Sequence, residues 1–233
     1  MPCSITWLAK PGPTNSEPAR AMRLELTPET LLQAYRMGVF PMAESRESAE
    51  LYWFDPVARG ILPLNGMHLS RSLRRRLRNA PYRVTLDADF TGVIRGCAER
   101  DSTWINAEIT ALFCALHARG HAHSLELWDG AELVGGIYGL AQGGLFAGES
   151  MFSRRRDASK LALAYLVTHL ARCGFVLFDT QYLTEHLASL GGIEISRTAY
   201  RTRLARALKA DASIHRHALP SAQDVLQFNT QTS

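Results

Sequence analysis

The 233-residue sequence predicts an α+β fold. Apolar residues at helical spacing run from Asp89 to Glu99 and from Asn106 to Gly120. Asp129-Gly130, flanked by the alternating runs Ser124 to Trp128 and Leu133 to Leu140, is a strong hairpin signal. An apolar helix capped by Asp157, running to Cys173 and stopped by Gly174, is followed at once by the short apolar run Phe175 to Phe178, so helices and strands share one core.

The remaining elements follow in order. Residues 1–26, with Pro2, Pro11, Pro13 and Pro18 among polar neighbours, read as an irregular arm. Thr27 can cap a helix with Pro28 at its first position, and Gly38 offers the stop. Leu51 to Leu62 reads as extended chain bent at Pro56. Ser70 caps a short helix whose Leu73 and Leu77 face inward, which turns Arg71, Arg74, Arg75, Arg76 and Arg78 outward. Tyr82 to Leu86 is a strand, and Leu145 to Ala147 adds a third strand to the hairpin. Helices over Thr184 to Leu190 and Ser196 to Lys209 close the fold. The expected organisation is the arm, a small N-terminal domain over 27–78, a sheet-and-helix domain over 79–210, and a loosely held tail over 211–233.

Composition narrows the function classes. Hydrophobic residues make up 46% of the chain, enough for a globular core. The net charge of +4 is mild, but the arginine run concentrates it and favours a polyanionic partner through salt-dependent phosphate contacts. Cys3, Cys97, Cys114 and Cys173 lack metal-site spacing and read as reduced thiols of a cytoplasmic protein. The most apolar helix is short and carries His169 and Arg172, so no membrane span is expected. His121 and His123 form an HxH pair without further ligands at convincing spacing, so no metal is expected. The GxSxG elbow, the P-loop and GxGxxG do not occur.

Candidate site residues cluster between Gly135 and Gln181. On a strand, Asp179 and Gln181 point to one face and can address one bound group; the alternative is a strand end satisfied by neighbouring backbone. Glu149 ends an apolar strand, where a carboxylate needs a partner, either a bound cation or hydroxyl, or an ion pair with Arg154 or Lys160. Ile137, Phe146, Leu163, Leu166 and Phe178 should converge, as core packing or as an apolar pocket. The glycines at 135, 136, 139, 143, 144 and 148 favour the pocket, since they let a ligand or another backbone approach. Trp53 and Trp104 are either core or stacking faces for unpaired bases.

Several ordered blocks together carry a family resemblance. They are Tyr35-Arg36-Met37-Gly38-Val39-Phe40-Pro41, Tyr52-Trp53 with Pro56 and Arg59, His68-Leu69-Ser70-Arg71-Ser72, Thr103-Trp104-Ile105, and Gly120-His121-Ala122-His123-Ser124. Gly148-Glu149-Ser150-Met151-Phe152-Ser153, Ala158-Ser159-Lys160 and Ala188-Ser189-Leu190-Gly191 complete the set. In this order the chain resembles the leucyl/phenylalanyl-tRNA–protein transferases. The resemblance implies a small N-terminal α/β domain joined to a domain of the N-acetyltransferase-like (GNAT) fold, working without metal or other cofactor, as a monomer. It implies transfer of leucine or phenylalanine, and less readily methionine, from aminoacyl-tRNA to proteins with N-terminal arginine or lysine, creating a degradation signal. Carried onto this sequence, the catalytic pair is Asp179 and Gln181, with Glu149 beside them. The donor side-chain pocket is Ile137, Phe146, Leu163, Leu166 and Phe178. The platform for the 3′-terminal adenosine is Trp104, with Tyr35, Phe113, Trp53 and Met42, where Met42 replaces the family's usual tryptophan. Donor specificity is then a matter of shape, with β-branched side chains crowded near Cβ, and Asp179 polarises the attacking amine.

Two other readings use the same residues. An acyl-coenzyme A transferase would need a glycine-bearing pyrophosphate loop, which Arg155-Arg156-Asp157-Ala158-Ser159-Lys160 lacks. An RNA-binding module would use the arginine helix and tryptophans, but leaves Glu149 and Asp179 without a role.

Overall fold

A computed structural model describes residues 26–43, 51–65, 67–79, 82–99 and 103–229. The arm over 1–26 lies almost wholly outside these residues, as does Cys3. The chain forms a mixed seven-stranded sheet with helices on both faces and a smaller N-terminal part. That part consists of α1 (Pro28–Arg36) and the two-stranded sheet of β1 (Phe40–Ala43) and β2 (Leu51–Phe54), paired so that Pro41 faces Trp53. Thr27 and Thr30 form a capping box at the start of α1, with Pro28 in its first turn.

β3 (Ala58–Leu62) enters the large sheet, followed by α2 (Arg71–Asn79), β4 (Arg83–Leu86), α3 (Phe90–Ala98) and α4 (Ala107–Ala118). β5 (Ala122–Asp129), β6 (Glu132–Gln142) and β7 (Leu145–Ser153) are consecutive antiparallel strands. α5 (Ala158–Arg172) then crosses over to β8 (Leu177–Gln181), which pairs parallel to β7. α6 (Glu185–Ser189), β9 (Ile193–Ser196), α7 (Arg197–Ala207) and α8 (Ala222–Phe228) complete the chain. The sheet order is β4-β5-β6-β7-β8-β3-β9. The expected boundary near Arg78 falls inside this body, because β3 and the buried Leu73 and Leu77 of α2 belong to the large sheet and its core.

Apolar cores cover both faces of the sheet. On one face α5 buries Leu161, Leu163, Leu166 and Leu170 against Ile137, Phe146 and Phe178. On the other, α1, α3 and α4 bury Tyr35, Ile94 and Phe113 with Tyr138 and Ala147.

Three expectations are corrected by this architecture. Residues 211–229 are not a loose tail: α8 packs on α5 and α2, and Asn229 is fully buried, its Oδ1 accepting from Met67 N at 2.6 Å. Asp157 does precede α5 but makes no side-chain cap, since its left-handed backbone (φ 64°) accompanies a carboxylate turned to Arg76 and Lys160. Ser153 Oγ takes over one of the orphan donors, accepting from Ser159 N at 3.2 Å. The glycines of β6 serve protein packing: a Cβ at Gly135 would lie 2.7 Å from Ala158 Cβ and one at Gly136 2.9 Å from Val93 Cγ2.

Candidate active site

Pairing between β7 and β8 ends at Ala147 opposite Asp179. Beyond that point the two strands part, and Glu149 and Gln181 stand on their diverging ends. A cleft of about 30 Å³ opens there, lined by Phe40, Pro41, Met42, Trp104, Glu149, Thr180, Gln181 and Tyr182. The site therefore sits where strand ends from the large sheet meet β1 of the small one.

Asp179 lies behind this cleft, fully buried. Arg59 donates from Nε to Oδ1 at 2.8 Å and from Nη2 to Oδ2 at 2.6 Å, a bidentate ion pair. Tyr200 Oη adds a bond to Oδ2 at 2.8 Å, and the backbone N–H of Gln181 donates to Oδ1 at 2.9 Å. Arg59 is itself held between the rings of Phe40 and Tyr200, at 4.5 and 4.3 Å, and gives Nη1 to the Gly38 carbonyl at 2.9 Å. Each oxygen of this carboxylate already takes two donors and neither lines the cleft, so the expectation that Asp179 meets the substrate amine directly does not fit its surroundings. Its bond to Gln181 N instead fixes that residue in a left-handed conformation (φ 59°), a strained backbone for a non-glycine residue. With its amide nitrogen toward the cleft wall, Gln181 then donates to the Gly148 carbonyl at 2.9 Å and the Thr180 carbonyl at 3.0 Å, bridging the parted strands.

Glu149 is also nearly buried, but among the described residues no cation is hydrogen-bonded to it. Tyr35 Oη donates to its Oε1 at 2.6 Å. The ion-pair alternative for Glu149 is overturned, because Arg154 pairs with Glu99 and Lys160 with Asp157. Burial pushes the Glu149 carboxyl up to about 8; the Tyr35 bond and the Arg59 charge oppose that rise, and Asp179 adds to it. At neutral pH this carboxyl is mostly protonated. Beside it the Thr180 hydroxyl, 3% exposed, has no hydrogen-bond partner among the described residues and lines the cleft.

The five apolar residues do converge. Ile137, Phe146, Leu163, Leu166 and Phe178 share the core under α5, with the Phe146 and Phe178 rings edge to face at 5.3 Å. They lie on the opposite face of the sheet from Glu149, which bonds to Tyr35 of the other core. The two sets meet at Gly148, where an added Cβ would stand 2.6 Å from Phe178 Cε2. The greasy patch and the carboxyls are thus neighbours through one backbone position rather than walls of one open slot.

The aromatic set divides. Trp104 and Met42 line the cleft, whereas the Tyr35 ring is fully buried and touches the site only through its hydroxyl on Glu149, so no base can stack on it. Phe113 does not line the cleft: its ring is fully buried, edge to face with Tyr138 at 5.3 Å, and no base can stack on it. Trp53 is 7% exposed, on β2 opposite Pro41 and off the cleft lining. Among the helix arginines, Arg74 Nε donates to the Leu69 carbonyl and Arg76 pairs with Asp157 at 3.2 Å. Arg75 and Arg76, with Arg156, line a second cleft of about 320 Å³ on the α5 side of the sheet, away from Glu149. Arg59 and Tyr200 are the site residues that sequence reasoning did not assign. The signal to be found was an arginine inside the otherwise apolar strand Ala58–Leu62, which demands a buried acid.

Comparison with known proteins bears on this geometry. A sequence profile described as leucyl/phenylalanyl-tRNA protein transferase matches residues 61–205, and one for the N-terminal domain of the same proteins matches 25–57. The chain belongs to this transferase family. It is 56% identical over 210 residues to the leucyl/phenylalanyl-tRNA–protein transferase of Ruegeria pomeroyi, covering 90% of this chain and 100% of that one. To the same-named protein of Paracoccus denitrificans it is 58% identical over 208 residues, 89% of this chain and 98% of the relative. The enzyme is accordingly an aminoacyltransferase. A solved structure, L-PGS from Bacillus licheniformis, aligns with 14% identity and a TM-score of 0.38 over 69% of this chain and 55% of that one, too low to assign the larger body to a named fold. No helix among the described residues is long and apolar enough to cross a membrane.

Proposed function

We propose that this enzyme moves leucine or phenylalanine, and less readily methionine, from aminoacyl-tRNA to the N-terminal arginine or lysine of an acceptor protein, leaving a degradation signal. The GNAT-like reading of the larger body goes with this proposal. The observation that carries it is the cleft at the parting of β7 and β8, where a protonated carboxyl, a strained glutamine and an unpartnered hydroxyl converge beside Trp104.

The chemistry suits an activated ester. The acceptor amine attacks the aminoacyl carbonyl, the bond to the ribose oxygen breaks, and one proton passes from nitrogen to that oxygen. Glu149 is the group placed for this proton, because a carboxyl titrating near 8 both takes and returns it close to neutral pH. Gln181 and Thr180 orient the reactants, and Asp179 with Arg59 holds Gln181 in position. As the carboxyl that lines the cleft, Glu149 also favours a cationic acceptor, whose arrival drives it toward the ionised form. The adenosine stacks on Trp104, and the Phe178 ring, which fills the space at Gly148, has to swing aside before a donor side chain reaches Phe146 and Phe178 on the other face of the sheet. A cleft of about 30 Å³ is far below the ~300–1,000 Å³ of ordinary ligand sites, so Met42 and Tyr182 at its rim must move apart first. The arginines of α2 take the tRNA backbone.

The test supplies leucyl-tRNA labelled in the amino acid and a peptide beginning with arginine, in parallel with acetyl-coenzyme A. Labelled peptide from the charged RNA alone is expected, with Glu149→Gln slower by about 10²-fold or more. Acetylation of the peptide, or RNA binding without transfer, overturns the proposal.

A further inference from the structure

We propose that Asp87, His123 and His215 form a binding site for a divalent transition-metal ion of the zinc type, which fastens the C-terminal segment to the sheet. Asp87 follows β4, His123 is on β5, and His215 lies between α7 and α8, and none of the three lines the transferase cleft. One ligand atom from each falls within 4.8 Å of the others. His123 Nδ1 is 2.7 Å and His215 Nε2 3.6 Å from Asp87 Oδ2. A tetrahedral ion with bonds of about 2.0–2.1 Å sets its ligand atoms about 3.3 Å apart, between those two values. It also sets two imidazole centres about 5 Å apart; the His123 and His215 centres are 5.3 Å apart.

The hydrogen bonding of His123 points independently to a cation. Its Nε2 faces the Gly120 carbonyl at 3.2 Å and its Nδ1 faces the Asp87 carboxylate. Both ring nitrogens therefore face acceptors, which calls for a second ring proton or a bound cation, since a neutral imidazole has one proton to give. A metal ion between Nδ1 and Asp87 resolves the conflict, leaving Nε2–H on the carbonyl, the usual outer support of a ligating histidine. Asp87 Oδ1 is fixed by Ser124 N at 2.8 Å, so its other oxygen is the one offered. His117 stays outside the group, since the nitrogen it turns toward Asp87, Nδ1 at 3.8 Å from Oδ1, is the one held by the Ala122 carbonyl at 2.8 Å. His215 is 62% exposed, which leaves the fourth position to water. Two imidazoles and a carboxylate are a donor set that zinc accepts readily. The HxH pair of His121 and His123 hid this arrangement, because its real companions are remote in sequence.

The experiment uses the full-length, untagged protein stripped with a chelator and titrated with Zn2+, and with Co2+ for spectroscopy. Wild type should bind one ion more than His215→Ala, show the strong visible bands of four-coordinate Co2+, and gain several degrees in Tm with Zn2+. The variant should lose the bands and the Tm gain, and Asp87→Asn should do the same. Equal binding and equal Tm response in wild type and His215→Ala overturns the proposal. So does nitrogen NMR showing protons on both His123 nitrogens that Zn2+ does not displace.

Discussion

Arg59 and the arginines of α2 carry the same side chain into opposite surroundings. Arg59 is 1% exposed, its guanidinium matched to Asp179, Gly38 and two aromatic faces. Arg71, Arg75 and Arg78 stand in water on a helix that buries only leucines. The first kind of charge fixes a shape, since each guanidinium nitrogen has a fixed partner and none can leave cheaply. The second kind fixes no shape and serves a mobile polyanion, with strength set by ionic strength.

The comparison breaks most visibly at Asp179. Asp179→Ala strands the Arg59 charge and should cost about 3–5 kcal/mol in denaturant unfolding, with transfer abolished. Joint replacement Arg59→Met with Asp179→Leu should recover most of that stability and none of the transfer, because Gln181 N loses its acceptor. Retained transfer in the double variant would remove Asp179 from the positioning of Gln181.

Glu149 gives the next effect, through pH. Its carboxyl is raised from 4.5 to about 8, so between those values the unfolded chain has released a proton that the folded chain keeps. Raising pH then favours unfolding, and this contribution to stability falls from about pH 4.5 to 8 by several kcal/mol. Glu149→Gln should flatten that part of the stability–pH curve; an unchanged slope would show that the carboxyl is ionised in the folded enzyme.

Smaller still, Gly148→Ala should cost about 1–3 kcal/mol through the clash with Phe178, and raise KM for the charged tRNA more for phenylalanine than for leucine. At the exposed end of the comparison, Arg75→Ala with Arg78→Ala should change stability by no more than about 0.5 kcal/mol. It should instead weaken tRNA binding and flatten its log–log salt slope by about 0.9 for each phosphate that is no longer neutralised. A folding defect comparable to Asp179→Ala would erase the distinction.

What could be read from the sequence follows the same divide. Glu149 and Gln181 were legible because a polar residue inside an apolar run is anomalous wherever it lies. The hairpin at Asp129-Gly130 and the Thr27-Pro28 helix start were legible because turn and cap chemistry is local. The Arg59–Asp179 pair was not, since its partners are 120 residues apart and only strand order brings β3 beside β8. Helix α8 escaped for a related reason: seven residues do not hold a helix alone, and this one exists through Val225 and Asn229 buried on α5 and α2. Phe113 shows the opposite error, an aromatic whose helical spacing fits either core or surface until the facing Tyr138 is known.

Residue 59 falls in the gap between the two matched stretches, 25–57 and 61–205, yet its guanidinium grips both. Cutting the chain there would expose a buried cation on one piece or abandon its counterion on the other. The two stretches are therefore not interchangeable cartridges: a chimera joining them from different relatives folds only if the rivet and both plates it passes through come from compatible parents.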